Sequence, residues 1–171
     1  MKIFHKGIKI LFILAICVQS IMCILWVFKC GLSMPDTTEN SFYLEAARTL
    51  RFDEYTGVIY PVFLRLLYLP FSGVLGRGIL SVLQLIAIGV AAVFFLGIFD
   101  KKEISLSTRI GIIIYVLTFP VIIHIAFQTL SEAFAVAIFL VWSRLLMRKE
   151  RGAKQNVTIV ALYIAMGFMS L

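Results

Sequence analysis

The stretch ILSVLQLIAIGVAAVFFLGIF, residues 79–99, decides the fold. It runs for 21 positions without an Asp, Glu, Lys or Arg. As a helix rising 1.5 Å per residue it is about 31 Å long, which matches a hydrocarbon core of ~30 Å. Asp100, Lys101, Lys102 and Glu103 follow at once. A run this long, this apolar and this sharply ended reads as a helix that crosses a membrane.

Working outward, the same pattern recurs. Apolar runs at 10–28, 110–127, 133–147 and 157–171 flank the first one. Of the 171 residues, 61% are hydrophobic and 15% charged, against about 45–50% and about 25% in soluble domains. The reading is an all-α, polytopic membrane protein: one transmembrane domain over 1–171 with about five crossings. Lys2, Lys6 and Lys9 precede the first run, Lys101, Lys102 and Arg109 lie between the second and third, and Arg148, Lys149, Arg151 and Lys154 lie between the fourth and fifth. Each falls on an inner side under the positive-inside rule. The N-terminus is therefore placed in the cytoplasm and the protein in a plasma membrane, of bacterial type.

The net charge of +7 does not point to nucleic acid, because the basic residues bracket apolar runs instead of forming one patch. The first run is too long for a signal-peptide core and lacks a small-x-small cleavage site. Cys17, Cys23 and Cys30 lack zinc spacing and read as packing residues, and no residue is assigned to a metal on spacing.

Residues 29–78 form the outer loop, with five of the nine acidic residues: Asp36, Glu39, Glu45, Asp53 and Glu54. Residues 40–52 read as an amphipathic helix, with Phe42, Tyr43, Ala46, Ala47 and Leu50 on one face, lying in the interface with that face in the acyl boundary. Tyr60-Pro61 opens a short helix to Leu69, and Pro70, Gly73, Gly76 and Gly78 separate it from the next crossing. Asp36 is a carboxylate at the outer face, available as a base or a metal ligand; with Glu39 it also has the spacing of a helix-capping pair. Asp53 and Glu54 are either working acids or a solvated turn. Arg48, Arg51, Arg65 and Arg77 stand on the side that should carry fewer cations. A guanidinium binds phosphate bidentately, so these arginines suit the phosphate of a lipid-linked substrate; singly, each also suits snorkelling to headgroups.

A second polar set lies at the outer end of the third crossing. His124 and Gln128 share a helical face. Ser131 and Glu132 open the fourth helix, where a negative charge suits the helix dipole. His124 and Glu132 are read as lining the same outward cavity as the loop. The chain has no Gly-rich phosphate loop and no nucleophile elbow.

Four segments carry a family resemblance: Pro35-Asp36; Phe42-Tyr43-Leu44-Glu45-Ala46-Ala47-Arg48; Gly57-Val58-Ile59-Tyr60-Pro61; and Leu130-Ser131-Glu132-Ala133. With the order of helices and loop, the chain resembles the N-terminal portion of the GT-C superfamily of membrane glycosyltransferases, in its protein O-mannosyltransferase-like and aminoarabinose transferase-like branches. The resemblance implies transfer of a sugar from a polyprenyl-phosphate donor at the outer face. It makes Asp36, with Glu39 as its rival, the base or the ligand of a divalent metal ion. It makes Arg48, Arg65 and Arg77 the candidates for the donor phosphate. Family members are longer, and the chain ends at Leu171 inside an apolar run, so it is expected to be part of a larger protein. The alternative from the residues alone is a non-catalytic membrane subunit that binds lipid headgroups and partners another membrane protein.

Overall fold

The computed structural model describes residues 2–30, 38–52, 57–71, 73–99, 104–129, 131–147 and 152–170. Among these the chain is all-helical: α1 (Lys2–Cys30), α2 (Thr38–Thr49), α3 (Ile59–Tyr68), α4 (Gly73–Leu96), α5 (Leu106–Leu117), α6 (Pro120–Ala126), α7 (Glu132–Met147) and α8 (Ala153–Ser170). Asp36, Asp53, Glu54 and Leu130, the charged inner-loop residues 100–103 and Arg148, Lys149 and Arg151 lie outside the described residues.

Helix α4 is the centre of the packing. Leu80, Gln84, Ile88, Ala91, Ala92 and Leu96 recur at helical spacing and are buried, whereas Val82, Ile86, Val90 and Val93 on its other side are exposed. Its main partner is α7, where Ala133 and Ala137 meet Ile88 and Ala91 in one cluster. Small residues four apart let two helices approach closely, the usual device for association in lipid. On α1, Val18 is 60% exposed and Leu14, Ile21 and Leu25 are also exposed.

Two groups of contacts define the ends of this bundle. At the C-terminal end of α4, Arg109 donates from Nη1 to the Leu96 carbonyl at 3.0 Å. Arg144 donates to the Phe94 carbonyl and lies 3.9 Å over the Phe94 ring. Both carbonyls also accept backbone amides of the turn that follows, from Gly97 and Phe99, and the two guanidiniums add to them at the helix end where the dipole favours a cation. At the opposite end, α2 and α3 fold over the start of α4 and α7.

Several boundaries differ from the sequence reading. Helix α4 starts at Gly73, not after Gly78. Gly73 has φ +63°, a conformation glycine adopts without strain. Gly76 is not a breaker but a point of contact: a Cβ there would sit 2.2 Å from the Phe71 carbonyl oxygen. The third apolar run, read as one crossing over 110–127, is two helices bent by 58°. Pro120 has no N–H to complete the ladder, so the Phe119 amide bonds to the Val116 carbonyl instead. The Tyr115 carbonyl, freed by the break, accepts from Gln19 Nε2 of α1 at 3.0 Å.

Helix α2 stops at Thr49 instead of Phe52, because Leu50 turns into the left-handed region at φ +54°. Its face is also narrower than expected. Ala46 and Ala47 are buried and Tyr43 half-buried, but Phe42 is 53% exposed and Leu50 is exposed. The inner half packs on α3. Among the described residues one helix, α4, is by itself long and apolar enough to cross a membrane, and α5 with α6 passes only as a bent pair. With 16 residues, α7 is about 24 Å long.

Candidate functional site: an arginine-lined cavity

Aromatic packing sets the position of the loop helices. Tyr60 of α3 is 1% exposed and forms one core with Ala47, Leu64 and Leu80. Its ring meets Tyr43 edge-on at 5.1 Å between centroids and Phe134 of α7 at 6.2 Å. Its hydroxyl accepts from Gln84 Nε2 of α4 at 3.3 Å, and the Tyr43 and Ser131 hydroxyls share a hydrogen bond at 3.2 Å. Four elements therefore meet through two tyrosines. Burial, then the neighbouring Tyr68, Tyr43 and Glu132, push the Tyr60 pKa well above the usual tyrosine value, against a smaller opposing effect of the Gln84 hydrogen bond. The ring stays protonated at any physiological pH, as a neutral group in a closed site should.

Docked in this way, α2, α3 and the start of α4 form an open cavity of about 350 Å³. Arg48, Arg65 and Arg77 line it, one from each helix, together with Leu44, Ala47, Tyr68, Leu69 and Gly73. Gly76 makes this approach close, since a Cβ there would also meet the Tyr68 ring at 2.9 Å.

The three arginines differ in what holds them. Arg65 Nη1 donates to the Arg48 carbonyl at 2.8 Å and to the Ala47 carbonyl at 3.2 Å. It thus ties off the C-terminal end of α2, where carbonyls lack partners. No described residue takes its Nε and Nη2 edge. The exposed Arg48 side chain makes no hydrogen bond or ion pair with any described residue. Arg77 stands in the second turn of α4, near the positive end of the helix dipole, where a cation is disfavoured. None of the described lining residues is acidic. Cations gathered around one small volume favour an anion among them.

The remaining expected site residues fall elsewhere. Asp36 lies outside the described residues. Glu39 is in the first turn of α2, with its side chain outside them. Glu132 opens α7, as read, and acts electrostatically on Tyr60. His124 does not line the arginine cavity. It lines a second, larger cleft against α1, and its Nε2 lies 3.1 Å from Gln128 Nε2. The sequence reading did not single out Tyr43, Tyr60, Tyr68 and Gln84 for these positions. Gln84 carried a signal: a polar side chain inside an apolar run turns toward protein and seeks a partner.

The chain matches no protein-family model, no curated protein and no solved structure. What the site can do is therefore read from its geometry.

Proposed function

We propose that the chain is a polytopic membrane protein of about five crossings whose arginine cavity, at the outer face, holds the phosphate of a membrane-anchored sugar donor. In the pattern of the GT-C glycosyltransferases it resembles, Asp36 acts as the base toward the acceptor hydroxyl. The observation that carries this reading is the convergence of Arg48, Arg65 and Arg77 on one cavity, with no acid among its described lining residues. Guanidiniums match phosphate in charge and fork geometry, and the apolar remainder of the lining suits the first carbons of a lipid chain. A leaving phosphate develops negative charge, and cations fixed in advance stabilise it without reorganising.

The five-crossing arrangement has support in the two bundle ends. Arg109, assigned to the inner side by charge, and Arg144, near the inner end of the run read as the fourth crossing, meet at one end of α4. The loop helices meet the start of α7 at the other. The exposed apolar faces of α1 and α4 suit lipid as their solvent.

A second reading also has an observation in its favour: Arg65 has a structural task at the end of α2. The cavity would then bind a phospholipid headgroup without chemistry, in a subunit of a larger assembly. The two readings part in one experiment. Membranes containing the protein are given a polyprenyl-phosphate sugar, and loss of sugar from the lipid is measured for wild type and Asp36→Asn. The enzyme reading expects turnover in wild type, its loss in the variant and retained donor binding in both. Binding with no turnover in wild type leaves only the headgroup reading.

A further inference from the structure

The bend at Pro120 has a consequence on the side of α5 and α6 that faces α1. Helix α6 leaves the line of α5 by 58°, while α1 runs on as a single helix to Cys30. A wedge of about 620 Å³ opens between them. Its walls are mostly apolar: Met22, Cys23 and Leu25 on α1, and Pro120, Val121 and Ile123 on α6. Lys29, in the last turn of α1, and His124 are its basic lining residues, and none of its described lining residues is acidic. Gln128 Nε2 faces His124 Nε2 at 3.1 Å.

We infer that this wedge is a binding site for one anionic phospholipid, separate from the arginine cavity, with a headgroup phosphate at Lys29 and His124 and one acyl chain laid against Met22, Leu25, Val121 and Ile123. The inference rests on the membrane reading above. Charge complementarity selects the headgroup, because one end offers a cation, while the polar lining residues Gln19 and Thr118 already donate to the Tyr115 and Ile114 carbonyls. The surroundings select the chain. An apolar wedge open to a bilayer is filled by hydrocarbon, since its walls would otherwise forgo their dispersion contacts, and its volume is within the range of ligand sites. A lipid held there would brace α6 against α1 at the break, beside the Gln19 bond to the Tyr115 carbonyl.

Native mass spectrometry of the purified full chain, with phosphatidylglycerol and phosphatidylcholine of equal chain length added in turn, tests the site. Wild type should retain one phosphatidylglycerol with about five-fold preference over phosphatidylcholine, the scale of one lysine near an anionic surface. Lys29→Gln should bring that preference close to parity. Val121→Trp, which fills the wedge and leaves both polar residues in place, should lose the retained lipid of either kind. In Arg48→Gln the preference that Lys29→Gln removes should remain. Equal retention of the two lipids by wild type, or an unchanged preference in Lys29→Gln, overturns the inference. So does a dimer in place of the bound lipid. Loss of the lipid in Arg48→Gln alone would move it to the arginine cavity, which overturns this site and leaves the donor-phosphate reading standing.

Discussion

Replacing Gly76 with alanine sets two effects of opposite sign in one methyl group. On helix propensity alone, alanine in place of a helical glycine stabilises by about 0.8–1.0 kcal/mol. The structure opposes this. The new Cβ would lie 2.2 Å from the Phe71 carbonyl oxygen and 2.9 Å from the Tyr68 ring. The nearer obstacle is backbone, so relief needs the turn before α4 to move by about 1 Å. Overpacking of this kind costs about 1–3 kcal/mol, and the short backbone contact puts it at the upper end. Net destabilisation of about 2 kcal/mol is expected. Gly78 is the internal control, because a Cβ there meets nothing within 4 Å. Gly78→Ala should show the propensity gain alone, up to about 1 kcal/mol, leaving the two variants about 3 kcal/mol apart. Reversible unfolding in mixed micelles, titrated with SDS, reads both. Gly76→Ala should also weaken binding of a phosphate ligand, since it displaces Tyr68 and Arg77 from each other. Equal stability of the two variants would refute the close approach of the turn to α4, and with it the shape of the cavity.

Other expectations follow from single contacts. Leu50 at φ +54° carries a strain that glycine would not, so Leu50→Gly should stabilise the end of α2 by about 1 kcal/mol in the same titration. Tyr60 gives a pH signature. Its folded pKa is raised well above the ordinary value of 10.0, so its contribution to stability is intact below pH 10 and lost as the pH rises beyond it, because the unfolded ring ionises first. Tyr60→Phe should remove that alkaline slope, and a slope unchanged in the variant would contradict the assignment. Gln19→Leu should cost about 1 kcal/mol by leaving the Tyr115 carbonyl, at the helix break, only the long 3.5 Å contact from Thr118 Oγ1.

How much of this was legible in the sequence depends on which physical signal each feature leaves. Uninterrupted apolar length marks α4, and basic flanks mark the ends of the runs, so helices and their order could be read directly. Pro120 was visible too, but an apolar run continuing on both sides hid the break it makes. Gly73, Gly76 and Gly78 look alike in sequence and play three parts: a left-handed start, a close approach and an open position. Only the neighbours of each distinguish them. Arg48, Arg65 and Arg77 draw notice because the sequence reading puts them on the side where cations are unexpected, yet nothing in spacings of 17 and 12 residues brings them to one cavity. That depends on Tyr60 docking α3 onto α4 and α7, a set of non-local contacts. The task of Arg65 at the end of α2 depends on where α2 stops, which Leu50 settles through a conformation leucine rarely adopts.

The central claim is that the arginine cavity recognises a lipid phosphate, and one binding comparison tests it most directly. Citronellyl phosphate and citronellol share a short isoprenoid chain and differ only in the phosphate. Each is titrated calorimetrically into wild type, Arg48→Gln and Arg77→Gln in the same detergent. Wild type should bind the phosphate and discriminate against the alcohol, and each substitution should weaken the phosphate by about ten-fold or more, the scale of one charge-assisted hydrogen-bonded contact. Equal binding of phosphate and alcohol by wild type, or phosphate affinity unchanged in both variants, would contradict the claim.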